Sequence, residues 1–274
     1  MPELPEVETV KQYLDKVIKN KVISDVVILH NNIICGDYDF FKKSVIGKKI
    51  VQIKRYGKYL IFVLDKKFVI LAHLRMEGKY IFFKNQENIS KYARVVFFFK
   101  NGGILNYDDS RAFGKIHIKN KSNYFLTDPL KKIGQEAIEN INVNQFYNLI
   151  HKKKKNIKTI LLDQSIISGI GNIYVTEILF KSKISPLTKA NKLNKNDLST
   201  ILKNAKCILL DAIKLHGCSA KSFTYSSNKK GQYQNFLQIY GKNKGNCPVC
   251  NNKLTKIKIS NRGTIYCNKC QITK

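Results

Sequence analysis

Hydrophobic residues recur every three or four positions through residues 5–19, a spacing that predicts an amphipathic helix. Glu3 and Glu6 lie three positions apart at the entrance of this helix, so their side chains point to similar sides of it. We expect the apolar face of the helix to pack against the residues that follow. That face consists of Val7, Val10, Leu14, Val17 and Ile18.

From about residue 22 to residue 127, short apolar or alternating runs replace the helical period, with turn-like breaks such as Asn101-Gly102-Gly103 between them. Eight short runs predict an α+β arrangement in which a β-sandwich or barrel packs against the first helix. The predicted strands are Val22–Leu29, Lys49–Lys54, Tyr59–Leu64, Phe68–Leu74, Tyr80–Phe83, Ala93–Phe99, Ile104–Tyr107 and Lys115–Ile118.

The helical period returns after residues 127–132, and we place a domain boundary there. Residues 217–235 are rich in Ser, Lys, Gly and Asn, which predicts an exposed loop. We therefore expect an N-terminal domain of residues 1–130, a helical domain of residues 131–235 and a C-terminal module of residues 236–274. The predicted helices of the second domain cover residues of about 135–139, 144–151, 156–163, 172–182 and 195–216.

The charge of the chain favours a polyanionic partner. There are 49 basic and 19 acidic residues, which give a formal net charge of +30. A generally lysine-rich proteome would also produce an excess, but the distribution is uneven. Residues 212–274 contain twelve Lys and Arg residues and no Asp or Glu. A segment whose charged side chains are all basic indicates nucleic acid as the partner.

Four of the seven cysteines form a C-x2-C-x16-C-x2-C pattern that predicts a structural zinc site. Each C-x2-C turn presents two thiolates to one tetrahedral metal, and four thiolates leave no open position for catalysis. The sixteen residues between the turns have room for a hairpin, with Arg262-Gly263 expected at its tip. The predicted ligands are Cys247, Cys250, Cys267 and Cys270.

A second motif is the loop from Asp163 to Asn172, which contains Gly169 and Gly171. Its glycines would let the backbone approach an anion, and Asn172 is a candidate N-cap for the next helix, whose N-terminus favours phosphate. An ordinary connection between two helices explains the same pattern. Lys58 lies in the tight link between two predicted strands, where a lysine is usually a solvated turn residue.

Two further stretches, 74–79 and 109–114, place an apolar residue beside a basic one in the breaks between strands. Met76 and Phe113 are candidates for core residues. Apolar wedges next to arginine also suit a protein that displaces bases from a duplex.

The first residues contain a candidate nucleophile. We expect removal of Met1, which would leave Pro2 with a free secondary amine. An α-amino group has a reference pKa of about 7.7–8.0, against about 10.4 for lysine, so more of it is neutral near pH 7. A proline-led helix start with acidic residues in its first turn explains the same residues without any chemistry.

Taken together, these motifs resemble formamidopyrimidine-DNA glycosylases, in order and along essentially the whole chain. The resemblance is carried by Pro2–Thr9, Gly57–Leu60, the Asp163–Asn172 loop, Tyr240–Lys242 and Arg262–Gln271. It implies a β-sandwich with an N-terminal helix, a helix-two-turns-helix domain and a C-terminal zinc finger with four cysteine ligands.

The resemblance also implies an activity. Family members are DNA glycosylases and abasic-site lyases of base-excision repair that remove oxidised purines, such as 8-oxoguanine and formamidopyrimidines, and cut the strand by β,δ-elimination. Pro2 matches the nucleophile that forms an imine with the deoxyribose. Glu3 matches the general acid/base, Glu6 a supporting carboxylate and Lys58 a lysine that assists proton transfer and contacts phosphate.

Six residues match DNA-contacting positions of the family. Met76, Arg111 and Phe113 match residues that fill the gap left by the flipped nucleotide, Lys158 and Asn172 match positions near the lesion and its phosphates, and Arg262 matches the zinc-finger arginine on the DNA backbone.

The chain departs from the family pattern in two places. Ala112 replaces a second basic residue, and the lesion-binding loop reads His216-Gly217-Cys218-Ser219-Ala220-Lys221-Ser222-Phe223. Because of Cys218 and Ser222, the preference among damaged bases stays open. The sequence also leaves open which base is preferred opposite the lesion.

We expect a cytoplasmic, nucleoid-associated bacterial protein that acts as a monomer on double-stranded DNA, without a membrane segment. Two alternatives remain at this stage: an endonuclease VIII-like enzyme for oxidised pyrimidines, and a zinc-ribbon DNA-binding protein without catalysis.

Overall fold

A computed structural model of the chain describes residues 1–85, 88–219, 223–226, 229–243 and 245–274. Two compact units are present: residues 1–131 with 215–232, and residues 132–214 with 233–274. The three-part division at residues 130 and 235 stays a prediction.

The first unit begins with helix α1, Leu4–Ile18, whose bounds agree with the predicted helix to within one residue. Pro5 lies in its first turn, where its missing N–H has no intrahelical partner to lose. The stripe seen in the sequence is the buried face, with Val7, Val10 and Leu14 almost fully buried.

Among the described residues, nine strands form the body of this unit, and eight of them correspond to the eight predicted runs. The two-residue strand β2 was not predicted, and neither was helix α2 (Tyr38–Val45). The strands are β1 (Ile23–Ile28), β2 (Ile34–Cys35), β3 (Ile50–Tyr56), β4 (Tyr59–Leu64), β5 (Phe68–His73), β6 (Lys79–Phe83), β7 (Ala93–Phe99), β8 (Ile104–Asp108) and β9 (Lys115–Asn120).

The predicted sandwich is confirmed. One sheet has the order β1-β7-β8-β6 and the other β2-β9-β5-β4-β3, and all their pairs are antiparallel except β2 with β9. Side chains from both sheets, such as Phe62 and Leu105, share one core with α1. Phe223 and Tyr225 of the 215–232 segment pack against that core.

The second unit contains helices α3 (Val143–Ile150), α4 (Ile157–Leu162), α5 (Asn172–Lys181) and α6 (Lys195–Lys214), followed by the hairpin of β10 (Thr255–Ile259) and β11 (Arg262–Tyr266). The helix predicted at 135–139 was wrong. There the backbone forms a parallel bridge between Glu136 and Ser168, with Ala137 N–H donating to Ser168 and Ser168 N–H donating to Gln135.

In the described part of the chain, no helix combines the length and the apolar character needed to cross a membrane.

Candidate functional site

The start of α1 is a buried polar centre. Pro2 is buried, and Glu3 and Glu6 are only 3% and 2% exposed. Glu3 is the N-cap residue of a reciprocal capping box, in which its side chain accepts from the Glu6 N–H while its own N–H donates to Glu6 Oε2 at 2.8 Å. The two carboxylates that are predicted to be catalytic, Glu3 and Glu6, are therefore also the residues that cap the acidic start of the helix.

The second oxygen of Glu6 reaches the 215–232 segment of the same unit. Glu6 Oε1 accepts from the Cys218 N–H at 2.7 Å. Gly217 lies so close that a Cβ built on it would stand 2.7 Å from this oxygen. The contact uses the backbone of Cys218, so the departure of its side chain from the family pattern does not affect it. Ser222, the other departure, and Lys221 lie outside the described residues.

Lys58 occupies the two-residue turn between β3 and β4, closed by the Tyr56–Tyr59 pair. Gly57, the first turn residue, has a φ of +56°, a conformation that L side chains rarely adopt. Lys58 is only 5% exposed, so it is not the solvated turn residue that its position in the sequence suggested.

A salt bridge fixes the end of β3 beside this turn. Arg55 Nε donates to Glu8 Oε2 of α1 at 2.9 Å, and Arg55 Nη1 donates to the Gly57 carbonyl at 3.1 Å. Burial raises the pKa of Glu8, but the hydrogen bond and charge of Arg55, helped by Lys11, outweigh it and lower the pKa overall. The planar guanidinium thus connects the helix to the turn that carries Lys58.

His73, at the end of β5, pairs with Tyr59 beside the same turn and was given no role from the sequence. Its ring packs edge-on against Tyr59, and its Nδ1 accepts from the Arg75 N–H at 3.0 Å. Burial, together with the charges of Arg75 and Lys58, lowers the pKa of His73 to about 3. The imidazole is therefore neutral near pH 7, with its remaining proton on Nε2.

The two predicted wedges are exposed at the surface. Met76 is 44% exposed and Phe113 is 50% exposed, and the Arg111 guanidinium lies over the Phe113 ring at 4.7 Å from its centroid. The core alternative for these two residues was wrong.

Sequence reasoning missed the side chains that hold these loops. Asp109 is 1% exposed and accepts from the N–H groups of Arg111 and Gly114 at 3.1 and 2.8 Å. Arg94 donates to the carbonyls of Asp109 and Ser110 at 2.7 and 3.2 Å. The sequence contains only five arginines among its 49 basic residues, and this scarcity was a signal that could have drawn attention to Arg94.

In the second unit, Lys158 and Asn172 meet at the β10–β11 hairpin, called the finger hairpin below. Lys158 Nζ donates to Thr264 Oγ1 at 2.7 Å and to the Gly263 carbonyl at 3.3 Å, and Asn172 Nδ2 donates to the same carbonyl at 3.2 Å. Arg262, the neighbour of Gly263, is exposed. Three predicted DNA-contacting residues thus lie around one backbone position.

Two local expectations in this region were wrong. Asn172 is the first residue of α5, and Gly171 is its N-cap. The hairpin tip is Ser260-Asn261, both with positive φ, and Arg262 is the first residue of β11, paired with Ile259. In both cases the predicted DNA-contacting residue lies one or two positions away from where turn chemistry alone would place it.

A further carboxylate in the second unit was also missed. Glu177 of α5 is buried, and its two oxygens accept from three successive N–H groups, those of Gln238, Ile239 and Tyr240, at 2.7–3.0 Å. It fixes the segment that leads into Tyr240-Gly241-Lys242.

The four cysteines form a cluster that fits a tetrahedral metal. Their sulfur atoms all lie within 4.8 Å of one another, with 3.8 Å between Cys247 and Cys270 and 3.5 Å between Cys250 and Cys267. A zinc ion at about 2.3 Å from each sulfur requires sulfur separations of about 3.8 Å. The Gln271 side chain holds the second turn, accepting from Cys267 N–H and donating to the Ile184 carbonyl.

Models of the family match two parts of the chain. The formamidopyrimidine-DNA glycosylase N-terminal domain matches residues 1–116, and the formamidopyrimidine-DNA glycosylase H2TH domain matches residues 133–224. A formamidopyrimidine-DNA glycosylase of Mycoplasmopsis pulmonis (strain UAB CTIP) is 44% identical over 277 residues, which cover 100% of this chain and 99% of that protein.

Solved structures give the same result. Wild-type Lactococcus lactis Fpg (MutM) in complex with DNA containing N7-benzyl-Fapy-dG matches with a TM-score of 0.92 and 37% identity, over 98% of this chain and 99% of that one. The Lactococcus lactis Fpg in complex with DNA containing an abasic site matches with a TM-score of 0.92 and 36% identity, with the same coverage. The resemblance seen in the motifs is confirmed, and the chain belongs to the formamidopyrimidine-DNA glycosylase family.

Proposed function

We propose that this chain is a base-excision repair glycosylase that removes oxidised purines, such as 8-oxoguanine and formamidopyrimidines, and then cuts the strand at the abasic site. The observation that carries the proposal is the buried centre at the start of α1, where Glu3 follows Pro2 directly and shares a capping box with Glu6. Solved relatives bound to Fapy-dG and abasic-site DNA support the substrate class.

Pro2 is the proposed nucleophile once Met1 has been removed. Its nitrogen lone pair attacks C1′ of the deoxyribose, the bond from C1′ to the base breaks, and the base leaves with the electron pair and takes up a proton. Opening of the sugar ring gives an iminium ion between Pro2 and C1′. Glu3, the nearest carboxyl group in the sequence, is the proposed proton donor to the ring oxygen.

The iminium ion then promotes strand cleavage. It acidifies the protons on C2′, so that loss of one of them expels the 3′ phosphate, and a second elimination expels the 5′ phosphate. Lys58 is the proposed partner for proton transfer and for a phosphate. Its burial beside the neutral His73 favours a held position over a freely solvated one.

Double-stranded DNA is the proposed partner of both units. Met76, Arg111 and Phe113 would enter the space left by the flipped nucleotide, and Lys158, Asn172 and Arg262 would lie near the phosphates. Residues 233–274, whose charged side chains are all basic, support this assignment for the second unit.

The cysteine cluster is the proposed site of one structural zinc ion, held by Cys247, Cys250, Cys267 and Cys270. When bound, the metal would supply cross-linking of the finger and no chemistry at the lesion. For a chain whose partner is genomic DNA, we propose a cytoplasmic, nucleoid-associated location and action as a monomer.

Borohydride trapping tests the nucleophile. The protein is incubated with a duplex that contains an abasic site or 8-oxoguanine, reduced, and resolved by mass spectrometry. We expect one covalent DNA adduct on Pro2 in the fraction that lacks Met1. The fraction that retains Met1 is the matched control, because its Pro2 nitrogen is in a peptide bond, so it should bind DNA without forming an adduct. An adduct on a lysine, or none at all, contradicts the proposal.

A comparison of substrates tests the branch. Single-turnover rates are measured on duplexes that differ only in the lesion, 8-oxoguanine or an oxidised pyrimidine. Faster excision of 8-oxoguanine is expected, whereas a preference for the pyrimidine would place the chain with the endonuclease VIII-like enzymes.

A further inference from the structure

Two loops of the first unit present the exposed wedge residues, and both have unusual backbone conformations. Residues 74–78 carry Met76, and residues 109–114 carry Arg111 and Phe113. Arg75 and Ala112 both have a φ of +53°, which costs free energy in a residue other than glycine. Such conformations persist only when the surrounding structure holds them.

The hydroxyl of Tyr107 lies against both loops. A Cβ built on Gly78 would stand 2.4 Å from this oxygen, and one built on Gly114 would stand 1.6 Å from it. Neither glycine has a positive φ, so it is space and not backbone conformation that requires glycine at both positions. One buried side chain therefore sets the distance between the Met76 loop and the Phe113 loop.

Asp109 completes this support. Its Oδ1 accepts from Arg111 N–H, and its Oδ2 accepts from Gly114 N–H and, over a longer 3.4 Å, from the Tyr107 hydroxyl. Burial and the neighbouring Tyr80 and Asp109 raise the pKa of Tyr107, so its hydroxyl keeps the proton that it donates. The carboxylate thus holds the 109–114 loop on either side of Phe113.

We propose, on the basis of the function proposed above, that Tyr107 and Asp109 are positioning residues that fix the two loops as one preformed wedge before DNA binds. Neither side chain needs to touch DNA. A wedge that is already ordered does not lose conformational entropy when it enters the duplex, so more of its contact energy is left to displace the damaged nucleotide.

Asp109→Asn tests the carboxylate. The amide nitrogen of asparagine cannot accept a hydrogen bond, so either Arg111 N–H or Gly114 N–H loses its partner whichever way the amide turns. We expect single-turnover excision of 8-oxoguanine to slow by about tenfold. Ser110→Ala is the matched control, since its side chain is exposed on the same loop, and it should excise at the wild-type rate.

A double-mutant cycle separates positioning from general damage to the fold. Phe113→Ala removes the wedge side chain that the Asp109 hydrogen bonds flank, so in this background Asp109→Asn should slow excision further by less than about twofold. An equal slowing in both backgrounds, or no slowing in either, overturns the proposal. Tyr107→Phe, which keeps the ring and removes the hydroxyl, is run through the same cycle so that the result does not depend on one variant's folding.

Fluorescence of 2-aminopurine beside an abasic-site analogue reports entry of the wedge without any chemistry. We expect a smaller fluorescence change with Asp109→Asn and with Tyr107→Phe than with the wild-type protein, and an unchanged signal with Ser110→Ala. Wild-type signals from both variants overturn the proposal. Failure of the wild-type protein to form a borohydride adduct would overturn the proposed function instead, and the fluorescence change would still test the wedge.

Discussion

Two hairpins of this molecule each have one basic residue in or next to the turn, and they are stabilised in different ways. The β3–β4 hairpin carries Lys58, and the β10–β11 hairpin carries Arg262. The first lies within a five-stranded sheet, and all six residues of β4 are buried. The second is a sheet of two strands only, and Arg262 is exposed.

The difference lies in what closes each hairpin. An isolated two-stranded hairpin is marginal in water, because it buries too little apolar surface. The finger hairpin is supported by a small core in which Leu254 and Ile265 pack with Cys247 and Cys267. Its cysteines are thus both predicted ligands and core residues, whereas the Lys58 hairpin depends on a sandwich core of ordinary size. One basic residue is held by burial, and the other is predicted to depend on a metal.

Removal of the metal should produce the largest difference in stability between the two hairpins. Structural zinc is typically worth about 10–16 kcal/mol of apparent binding free energy. With a strong chelator, or in Cys250→Ser, we expect backbone amides of residues 245–274 to exchange freely while those of β4 stay protected. Hydrogen exchange measures both regions in one sample, and DNA affinity should fall with the finger. Protection that persists in β10 and β11 would mean that the small core suffices by itself.

Lys58→Met tests the buried lysine. The hairpin should remain closed, because the Tyr56–Tyr59 pair and the buried strand do not involve the side chain, so the melting temperature should change little. Strand cleavage in a single turnover should fall by about 10²–10⁴-fold, the range for loss of a proton-transfer group. Lys54→Met, an exposed lysine on the same hairpin, is the control and should leave cleavage near the wild-type rate.

Patterns that are local in sequence predicted this molecule well. The apolar stripe of α1, the eight runs of the sandwich and the cysteine spacing each arise from residues that are close in sequence and share one environment, such as the core or a metal site. Helix α2 was missed because Tyr38 and Phe40 are exposed, which blurs its apolar face. The helix predicted at 135–139 failed because its backbone pairs with Ser168, a partner about thirty residues away that periodicity cannot reveal.

The supporting carboxylates were beyond sequence reasoning for a related reason. Asp109 and Glu177 bond to backbone N–H groups, which every residue except proline possesses and which leave no mark on the sequence. The partners of Glu177 are 61–63 residues away. The catalytic and DNA-contacting residues were found instead by resemblance, and their roles stay predictions until the variants are measured.

Acid should lower the unfolding free energy through His73, which lies in β5 beside the β3–β4 hairpin. The pKa of this histidine is lowered to about 3 in the folded protein, while about 6.5 is usual in an unfolded chain. Below pH 6.5 the unfolded chain binds the extra proton, so stability is lost as pH falls, by at most about 1.4 kcal/mol per pH unit. His73→Asn should therefore flatten the decline of the unfolding free energy between pH 6 and pH 4, measured by urea denaturation.

His117→Asn is the comparison for this titration. Burial and three basic neighbours lower the pKa of His117 to about 4, so its variant should flatten the decline less than His73→Asn does. The finger hairpin contains no histidine, and its own acid sensitivity should follow metal release. Identical slopes for wild type and His73→Asn would contradict the buried, neutral state assigned to this side chain.

The smallest effect expected is at the turns themselves. Alanine in the left-handed region costs about 1–2 kcal/mol, and asparagine tolerates that region better than most residues. Gly57, with a φ of +56°, and Asn261, with a φ of +60°, are therefore matched sites for substitution by alanine.

In Gly57→Ala the strain falls on the two-residue turn that presents Lys58, so this lysine should be displaced and the cleavage rate lowered. In Asn261→Ala the thiolates keep the hairpin closed, so DNA affinity should change by less than about twofold while zinc transfers faster to a chromogenic chelator. Equal losses of function in the two variants would show that the metal does not protect its turn from strain.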